Sequence, residues 1–203
     1  MENGSKVKVW DLPTRAFHWL LAGCVAAAWW SGDAGKMDLH FTLGYVALGL
    51  LALRLLWGFI GYRTARFAQF VKGPKAATAY VRYRLGLPGG EPPPLGHNPI
   101  GGWMVVVLLL VLAVQAGTGL FTSDDIMVDG PLTSYVSSKA VVVLSTIHRV
   151  EAKALLALVA LHVAAVLAYL VVFRENLVRP MITGWKNADT DDGRDNPCAE
   201  NSR

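Results

Sequence analysis

The chain alternates between four long apolar stretches and shorter polar segments. The apolar stretches cover residues 14–31, 41–62, 101–121 and 141–173. Each reaches or approaches the roughly 20 residues that an α-helix needs to cross the hydrocarbon core of a bilayer. A backbone in lipid must satisfy its own hydrogen bonds, and no stretch shows the strict alternation of a barrel strand. The pattern therefore predicts an all-α membrane protein, a bundle of four transmembrane helices, whose last helix extends beyond the membrane.

The polar segments alternate in charge along the chain. Three are basic: the segment before the first helix, the 63–100 connector, and the segment after the fourth helix. Their basic residues are Lys6, Lys8, Arg15, Arg63, Arg66, Lys72, Lys75, Arg82, Arg84, Arg174, Arg179 and Lys186. The loops 32–40 and 122–140 hold more Asp than Lys. Because basic connections stay in the cytoplasm, we expect both termini to be cytoplasmic and the two acidic loops to face outward.

The 63–100 connector and the C-terminal segment have distinct compositions. Residues 74–87 mix tyrosine and aliphatic side chains with Lys and Arg, which is typical of a short interfacial helix on the inner leaflet. The proline-rich residues 86–100 are predicted to link it to the third helix. Residues 187–203 are polar and predict a disordered tail. The organisation expected is one membrane domain, residues 1–186, followed by this tail.

The first apolar stretch also has features of a signal peptide, because basic residues precede it. It contains His18, ends in Trp29 and Trp30, and lacks a small-residue cleavage site. We therefore expect a retained first helix.

Composition agrees with a membrane protein. Charged residues make up 17% of the 203 residues, against about 25% in an average soluble domain. The net charge of +4 comes mainly from the basic cytoplasmic connections. Nucleic-acid binding needs a basic patch on a soluble fold, which the sequence does not show, so such binding is not expected.

Four of the five histidines lie inside or at the ends of the apolar stretches: His18, His40, His148 and His162. An imidazole in a bilayer is costly unless it has a partner, so each of them is a candidate functional residue. The fifth, His97, lies in the Gly/Pro-rich connector and is expected to be a turn residue. The sequence assigns no role to Gln115.

The predicted topology decides which histidines can share a metal. His18 lies at the inner end of the first helix and His40 at the outer end of the second, so they cannot meet. His148 and His162 are fourteen residues apart on the fourth helix, which is ~21 Å along its axis and only ~40° around it. The consistent arrangement is an outer pair, His40 with His148, and an inner pair, His18 with His162. Two haem irons stacked across the membrane follow as a hypothesis.

Other features of the sequence indicate the type of these haems and their role. Two histidine ligands leave no open position on the iron, which suits electron transfer. The chain has no Cys-x-x-Cys-His motif, so the haems are expected to be b-type. Cys24 and Cys198 are far apart and predict neither a disulfide nor a metal cluster. The alternative is that some histidines only cap helices or bond across the bundle, which is more reasonable for one histidine than for four in register.

Two arginines are candidate partners of haem propionates. Arg54 follows His40 by fourteen residues, on the same helix face and ~21 Å deeper, near the inner haem. Its guanidinium could pair with a propionate, or it could snorkel to the headgroups. Arg149 lies next to His148 and could serve the outer haem or be solvated.

Glycines on the second and third helices leave room for a macrocycle or a neighbouring helix: Gly44, Gly49, Gly117 and Gly119. Small residues are common at helix contacts in membranes, so helix packing is the favoured interpretation.

Several segments together resemble one family. They are VWDLPTRAFHWLL, HFTLGYVALGLLALRLLWGFIG, GHNPIGGW, TGLFTSDD and IHRVEAKALLALVALH, within roughly residues 7–186. They resemble the bacterial cytochrome b561 family, which includes the b-type cytochrome subunit of nickel-iron hydrogenases. The resemblance implies a four-helix inner-membrane protein with two b haems that exchanges electrons with ubiquinone or menaquinone. By position, the haem ligands would be His18, His40, His148 and His162.

Three functions are considered. The first is electron transfer between the quinone pool and a redox partner; the acidic outer loops favour a basic partner such as a periplasmic c-type cytochrome. The second is a stand-alone superoxide:quinone oxidoreductase, which ranks lower because an anionic substrate prefers a positive surface. The third is a haem-free membrane anchor, which would leave four buried histidines without a purpose.

Overall fold

The computed structural model describes residues 6–94, 96–123 and 128–187. Most of the predicted tail, residues 188–203, lies outside the described residues. The helices are α1 (Leu12–Asp33), α2 (Met37–Ile60), α3 (Phe67–Phe70), α4 (Pro74–Arg84), α5 (Pro99–Gly119), α6 (Ser138–Val171) and α7 (Val178–Thr183). Two short strands, β1 (Lys6–Lys8) and β2 (Trp185–Asn187), complete the chain together with 3₁₀ turns at Arg63–Ala65 and Thr133–Tyr135.

Three of the described helices, α2, α5 and α6, are long and apolar enough to cross a membrane. The protein is therefore a mostly helical, multi-pass membrane protein. Helix α1 has 22 residues, enough to span, but it is rich in alanine and glycine and carries Arg15, His18 and Asp33. Its apolar character is weaker for that reason.

Polar caps fix where three of the long helices begin. The Asp11 carboxylate accepts from Thr14 N at 3.3 Å, ahead of α1. The Asn98 side chain accepts from Gly101 N at 2.7 Å, ahead of α5. Ser137 accepts from Ala140 N at 3.3 Å, ahead of α6. Such caps satisfy backbone N–H groups that the first helical turn leaves unpaired, so each helix starts a few residues before its apolar stretch.

The four long helices pack around a small apolar core. Helix α1 packs on α2, α2 on α5, and α5 on α6. Leu51, Leu112 and Leu155 are buried at the centre, one from each of α2, α5 and α6. Most other apolar side chains point outward; only 6–22% of each spanning window is buried inside the bundle. A soluble protein does not expose so much contiguous apolar surface, and this exterior suits lipid.

The first and last described segments meet at one end of the bundle. Strands β1 and β2 pair antiparallel, with Lys6 opposite Asn187 and Lys8 opposite Trp185. The contact continues beyond the strands, because the Val9 and Trp10 amides both donate to the carbonyl of Gly184, at 2.9 and 3.2 Å.

A polar network attaches α4 to the same end of the bundle. Arg84 forms an ion pair with Glu175 at 2.5 Å and donates to the Tyr80 hydroxyl at 2.7 Å. The hydroxyls of Tyr80 and Tyr169 are 2.6 Å apart, and Asn98 donates to Tyr169 at 3.0 Å. Burial raises the pKa of Tyr80, so its phenol stays protonated. The network joins α4 to the start of α5 and to the segment after α6.

Candidate functional site

Helix α6 presents two of the four candidate histidines toward the other helices. His162 faces His18 of α1, with ring centroids 6.5 Å apart and ring planes at 55°. His148 faces His40 of α2, with centroids 6.1 Å apart and planes at 89°. We call these the inner pair and the outer pair. The structure thus brings all four histidines together in two groups of two.

The spacing within each pair fits a single iron between the two rings. An imidazole nitrogen binds a transition metal at about 2.0 Å, so two rings that ligate one iron from opposite sides have centroids about 6 Å apart. Across residues 6–94, 96–123 and 128–187, no group of three or more His, Cys, Asp or Glu could hold a metal ion. Two imidazoles alone are the right donor set for an iron whose other ligands come from a macrocycle.

Backbone carbonyls orient the rings of the outer pair. His40 Nδ1 lies 2.8 Å from the carbonyl of Ala28, and His148 Nδ1 lies 2.9 Å from the carbonyl of Gln115. A carbonyl only accepts, so Nδ1 carries the proton and Nε2 keeps the lone pair that a metal needs. The side-chain nitrogen of Gln115 lies 3.2 Å from His148 Nε2. This amide competes with a metal for the same lone pair.

Glycines give the outer pair its space. A Cβ on Gly32 would come within 3.0 Å of His40 Nδ1, and one on Gly119 within 2.9 Å of His148 Cε1. A Cβ on Gly44, Gly49 or Gly117 would meet no described atom within 4 Å. The expectation that these three glycines serve helix packing is therefore wrong. Gly44 follows His40 by one helical turn, on the same face of α2.

Arg54 is buried beside the inner end of the bundle, with 4% of its surface exposed. It donates from Nη2 to the carbonyl of Ala65 at 3.1 Å, and its guanidinium lies 4.9–6.0 Å from the ring centres of Phe17, Phe67 and Phe70. Its Nη1 is buried and has no hydrogen-bond partner among the described residues. The side chain is therefore covered by protein and does not snorkel into solvent. Arg149, by contrast, is exposed on α6.

His97 was expected to be a turn residue, and its ring is packed against two aromatic side chains. Its centroid lies 4.6 Å from that of Trp10 and 4.8 Å from that of Phe70. Gly96 makes the bend that permits this, with φ +101°. Burial, with a smaller contribution from the charge of Arg54, lowers the pKa of His97 to about 3, so the ring is neutral at physiological pH. A lone histidine between Gly and Asn-Pro gives no spacing from which this position could have been predicted.

A bundle of apolar helices that presents paired imidazoles from separate helices is the arrangement of a membrane b-type cytochrome, an electron-transfer protein. The chain belongs to the prokaryotic cytochrome b561 family, whose model matches residues 9–184. It is similar to a protein of Azotobacter vinelandii described as a probable Ni/Fe-hydrogenase B-type cytochrome subunit. The two are 26% identical over 215 aligned positions, which cover 89% of this chain and 88% of the relative. No solved structure matches the chain. The resemblance drawn from the sequence is confirmed.

Proposed function

We propose that this protein is a di-haem cytochrome that transfers electrons between the quinone pool and a redox partner, through two b haems stacked across the membrane. The observation that carries the proposal is the pairing of four imidazoles, with centroid separations of 6.1 and 6.5 Å. When bound, each haem iron supplies one-electron chemistry. The protein's part is to ligate the iron, orient the rings and exclude water.

The outer haem is assigned to His40 and His148, and the inner haem to His18 and His162. The fourteen residues between His148 and His162 separate the two levels by ~21 Å along α6. Two histidine ligands would leave no open position on each iron, which would favour electron transfer over the binding of a further ligand.

Two arginines are assigned to the haem propionates. Arg54 holds a buried nitrogen without a partner among the described residues, and a guanidinium pairs strongly with a carboxylate. It is assigned to the inner haem. Arg149 is exposed next to His148, where the edge of the outer haem would meet water, and is assigned to the propionates there.

The proposed topology is four spans in the bacterial inner membrane, with both termini in the cytoplasm. The basic connections support it through the positive-inside rule. The β1–β2 pairing supports it too, because it requires residues 6–8 and 185–187 to lie on the same side. Helix α4 is proposed to lie on the inner leaflet, since its network binds it to this same end.

The redox partner is proposed to lie on the outer side. The name of the Azotobacter vinelandii relative suggests a hydrogenase-type redox enzyme, and the acidic loop residues Asp33, Asp38 and Asp129 would steer a basic surface such as that of a c-type cytochrome. On the membrane side, ubiquinone or menaquinone is proposed as the exchangeable substrate.

A second candidate function, superoxide:quinone oxidoreductase activity, is favoured by one observation. Arg149 is exposed beside the outer pair and gives a local positive charge for an anionic substrate. Rapid reduction of the haems by superoxide in the purified protein would establish this function over the first.

The proposal is tested by counting haems in the purified full-length protein and in single variants. We expect two b haems per chain, one after His148→Ala and one after His162→Ala, because each substitution removes a ligand of one haem only. Leu161→Ala is the matched control, since Leu161 is 55% exposed next to His162, and it should retain both haems. A wild-type protein without a b-type absorption band, or a histidine variant that keeps both haems, would contradict the proposal.

A further inference from the structure

Unpartnered buried polar atoms are concentrated at the inner end of the bundle. Seven buried side-chain nitrogen or oxygen atoms have no hydrogen-bond partner within the described part of the chain. Five of the seven lie at the inner end, near the inner pair: Thr14 Oγ1, Arg15 Nε, His18 Nδ1, Arg54 Nη1 and His97 Nδ1. Buried polar groups in native proteins are almost always paired. These five atoms therefore lack a hydrogen-bond partner that the described residues do not supply.

The chemistry of Arg54 identifies the missing group as an acceptor. A guanidinium has only donors and is always charged. The carboxylate that acts on Arg54 electrostatically is that of Asp11, but its two oxygens accept from Thr14 N and from Trp57 Nε1. No described group accepts from Arg54 Nη1, and an arginine prefers a carboxylate or a phosphate as its partner.

His97 shares this environment with Arg54. Both side chains lie against Phe70, whose ring centre is 4.8 Å from that of His97 and 5.9 Å from the Arg54 guanidinium carbon. His97 is also close enough to Arg54, His162 and His18 to be affected by their charges. A neutral imidazole has one N–H to donate, and His97 Nδ1 is buried without a hydrogen-bond partner among the described residues.

We propose that Arg54 and His97 form one carboxylate-binding site, in which His97 donates from Nδ1 to the same inner-haem propionate that Arg54 binds. This inference rests on the proposed function, because the inner haem supplies the carboxylate. It assigns a ligand-binding role to a residue outside the four long helices. It also links the haem to the Gly96–Asn98 bend that starts α5.

The alternative is that His97 only fills space between Trp10 and Phe70, and two variants separate the possibilities. His97→Phe keeps an aromatic ring between these neighbours and removes the nitrogen. His97→Gln loses the ring and keeps a donor. If His97 acts as a donor, His97→Phe should alter the inner haem more than His97→Gln does. If His97 only fills space, His97→Gln should have the larger effect.

The experiment is a redox titration of the inner haem in the full-length His148→Ala protein, which carries that haem alone. Losing a hydrogen bond to the propionate leaves more negative charge near the iron, which stabilises the ferric state. We expect His97→Phe to lower the midpoint potential, His97→Gln to lie close to the parent, and Arg54→Gln to lower it more. The redox infrared difference band of haem labelled with ¹³C at the propionates should shift in His97→Phe, a change that packing alone would not produce.

Each result of these measurements either supports or overturns the proposed role of His97. A His97→Phe protein that keeps the inner haem with unchanged potential and propionate band overturns this inference and leaves the proposed function standing. Loss of the inner haem in His97→Phe but not in His97→Gln supports it, whereas loss in both variants shows a packing role and overturns it. Absence of haem from the wild-type protein would overturn both this inference and the proposed function.

Discussion

Gln115 contacts both nitrogens of the His148 ring, so it should influence the binding of the proposed outer haem. Its carbonyl lies 2.9 Å from Nδ1 and its side-chain nitrogen 3.2 Å from Nε2. The backbone carbonyl favours the tautomer that keeps a lone pair on Nε2; under the proposed ligation, the side-chain amide has to leave Nε2 before iron can bind. Residue identity at position 115 should therefore alter haem affinity without altering the fold.

Gln115→Leu removes the side-chain amide that competes for His148 Nε2 and keeps the backbone carbonyl that orients the ring. One hydrogen bond is worth about 0.5–1.5 kcal/mol, so we expect the outer haem to bind roughly 2- to 10-fold more tightly. Titration of the haem-depleted protein with haem measures this. Val114→Ala is the control, because Val114 is 47% exposed, and it should leave the affinity unchanged. Weaker binding of the outer haem in Gln115→Leu would contradict the prediction and show that the amide assists ligation.

Gly119→Ala places a methyl group against the His148 ring. The Cβ would lie 2.9 Å from Cε1, so the ring must move, at a cost of about 1–3 kcal/mol. We expect outer-haem affinity to fall roughly 5- to 150-fold, with the inner haem retained.

Gly117→Ala is the control on the same helix. Its Cβ meets no described atom within 4 Å, because two residues along a helix turn the side chain by about 200°. Haem affinity should be unchanged. Equal effects of the two substitutions would mean that contact with His148 is not the cause.

At the scale of elements, the polar network at the inner end holds α4 to the rest of the protein. Glu175 accepts from both Arg84 and Lys186, at 2.5 and 3.0 Å, and is largely covered. Glu175→Gln should destabilise the protein by about 1–3 kcal/mol because it weakens two charge-assisted hydrogen bonds.

Thermal unfolding in detergent, followed by loss of haem absorbance, measures this effect. The expected decrease in Tm is a few degrees, at about 2–4 °C per kcal/mol. Glu91 is exposed in the connector, so Glu91→Gln removes the same charge as a control and should have no effect. A Tm for Glu175→Gln equal to that of Glu91→Gln would show that the network adds nothing to stability.

The sequence predicted the long helices and the short helix α4 (Pro74–Arg84), but it did not predict the shortest elements. The apolar stretches locate α1, α2, α5 and α6 within four residues, because burial in lipid demands a length that a pattern of 20 residues reveals. Strand β1, strand β2 and helix α7 have three to six residues each, and they depend on contacts such as those of Val9 and Trp10 with Gly184. No local pattern encodes such contacts.

In the candidate site, too, the sequence predicts some features and not others. The pairing of the histidines could be predicted because helical spacing and topology are properties of long elements. The packing of His97 against Phe70 could not be predicted, because it depends on the path of the 63–100 connector. For Gly44 the sequence left two interpretations, room for a macrocycle or helix packing, and helix packing was favoured because glycine in a membrane helix most often marks close helix contact. A Cβ at Gly44 would meet no described atom within 4 Å, which contradicts that choice.

For the whole molecule, the topology depends on whether α1 crosses the membrane. Its packing on α2 and its His18–His162 contact with α6 predict that it does. Single cysteines at Val7, Lys36 and Glu91, in a chain lacking Cys24 and Cys198, should then label from alternate sides: inside, outside and inside.

An impermeant maleimide applied to spheroplasts and to inverted vesicles makes this measurement. Lys36→Cys should react only in spheroplasts, whereas Val7→Cys and Glu91→Cys should react only in inverted vesicles. Labelling of Val7→Cys and Lys36→Cys from the same side would mean that α1 does not span.

The position of α6 has a consequence for biogenesis. It contributes one histidine to each pair, and it is the last long helix to leave the ribosome. Under the proposed ligation, a nascent chain that ends before residue 148 has no complete pair of histidine ligands, one that ends between His148 and His162 has the outer pair alone, and the full protein has both pairs. Haem acquisition is then a late event in maturation, and a chain that lacks α6 should carry no haem.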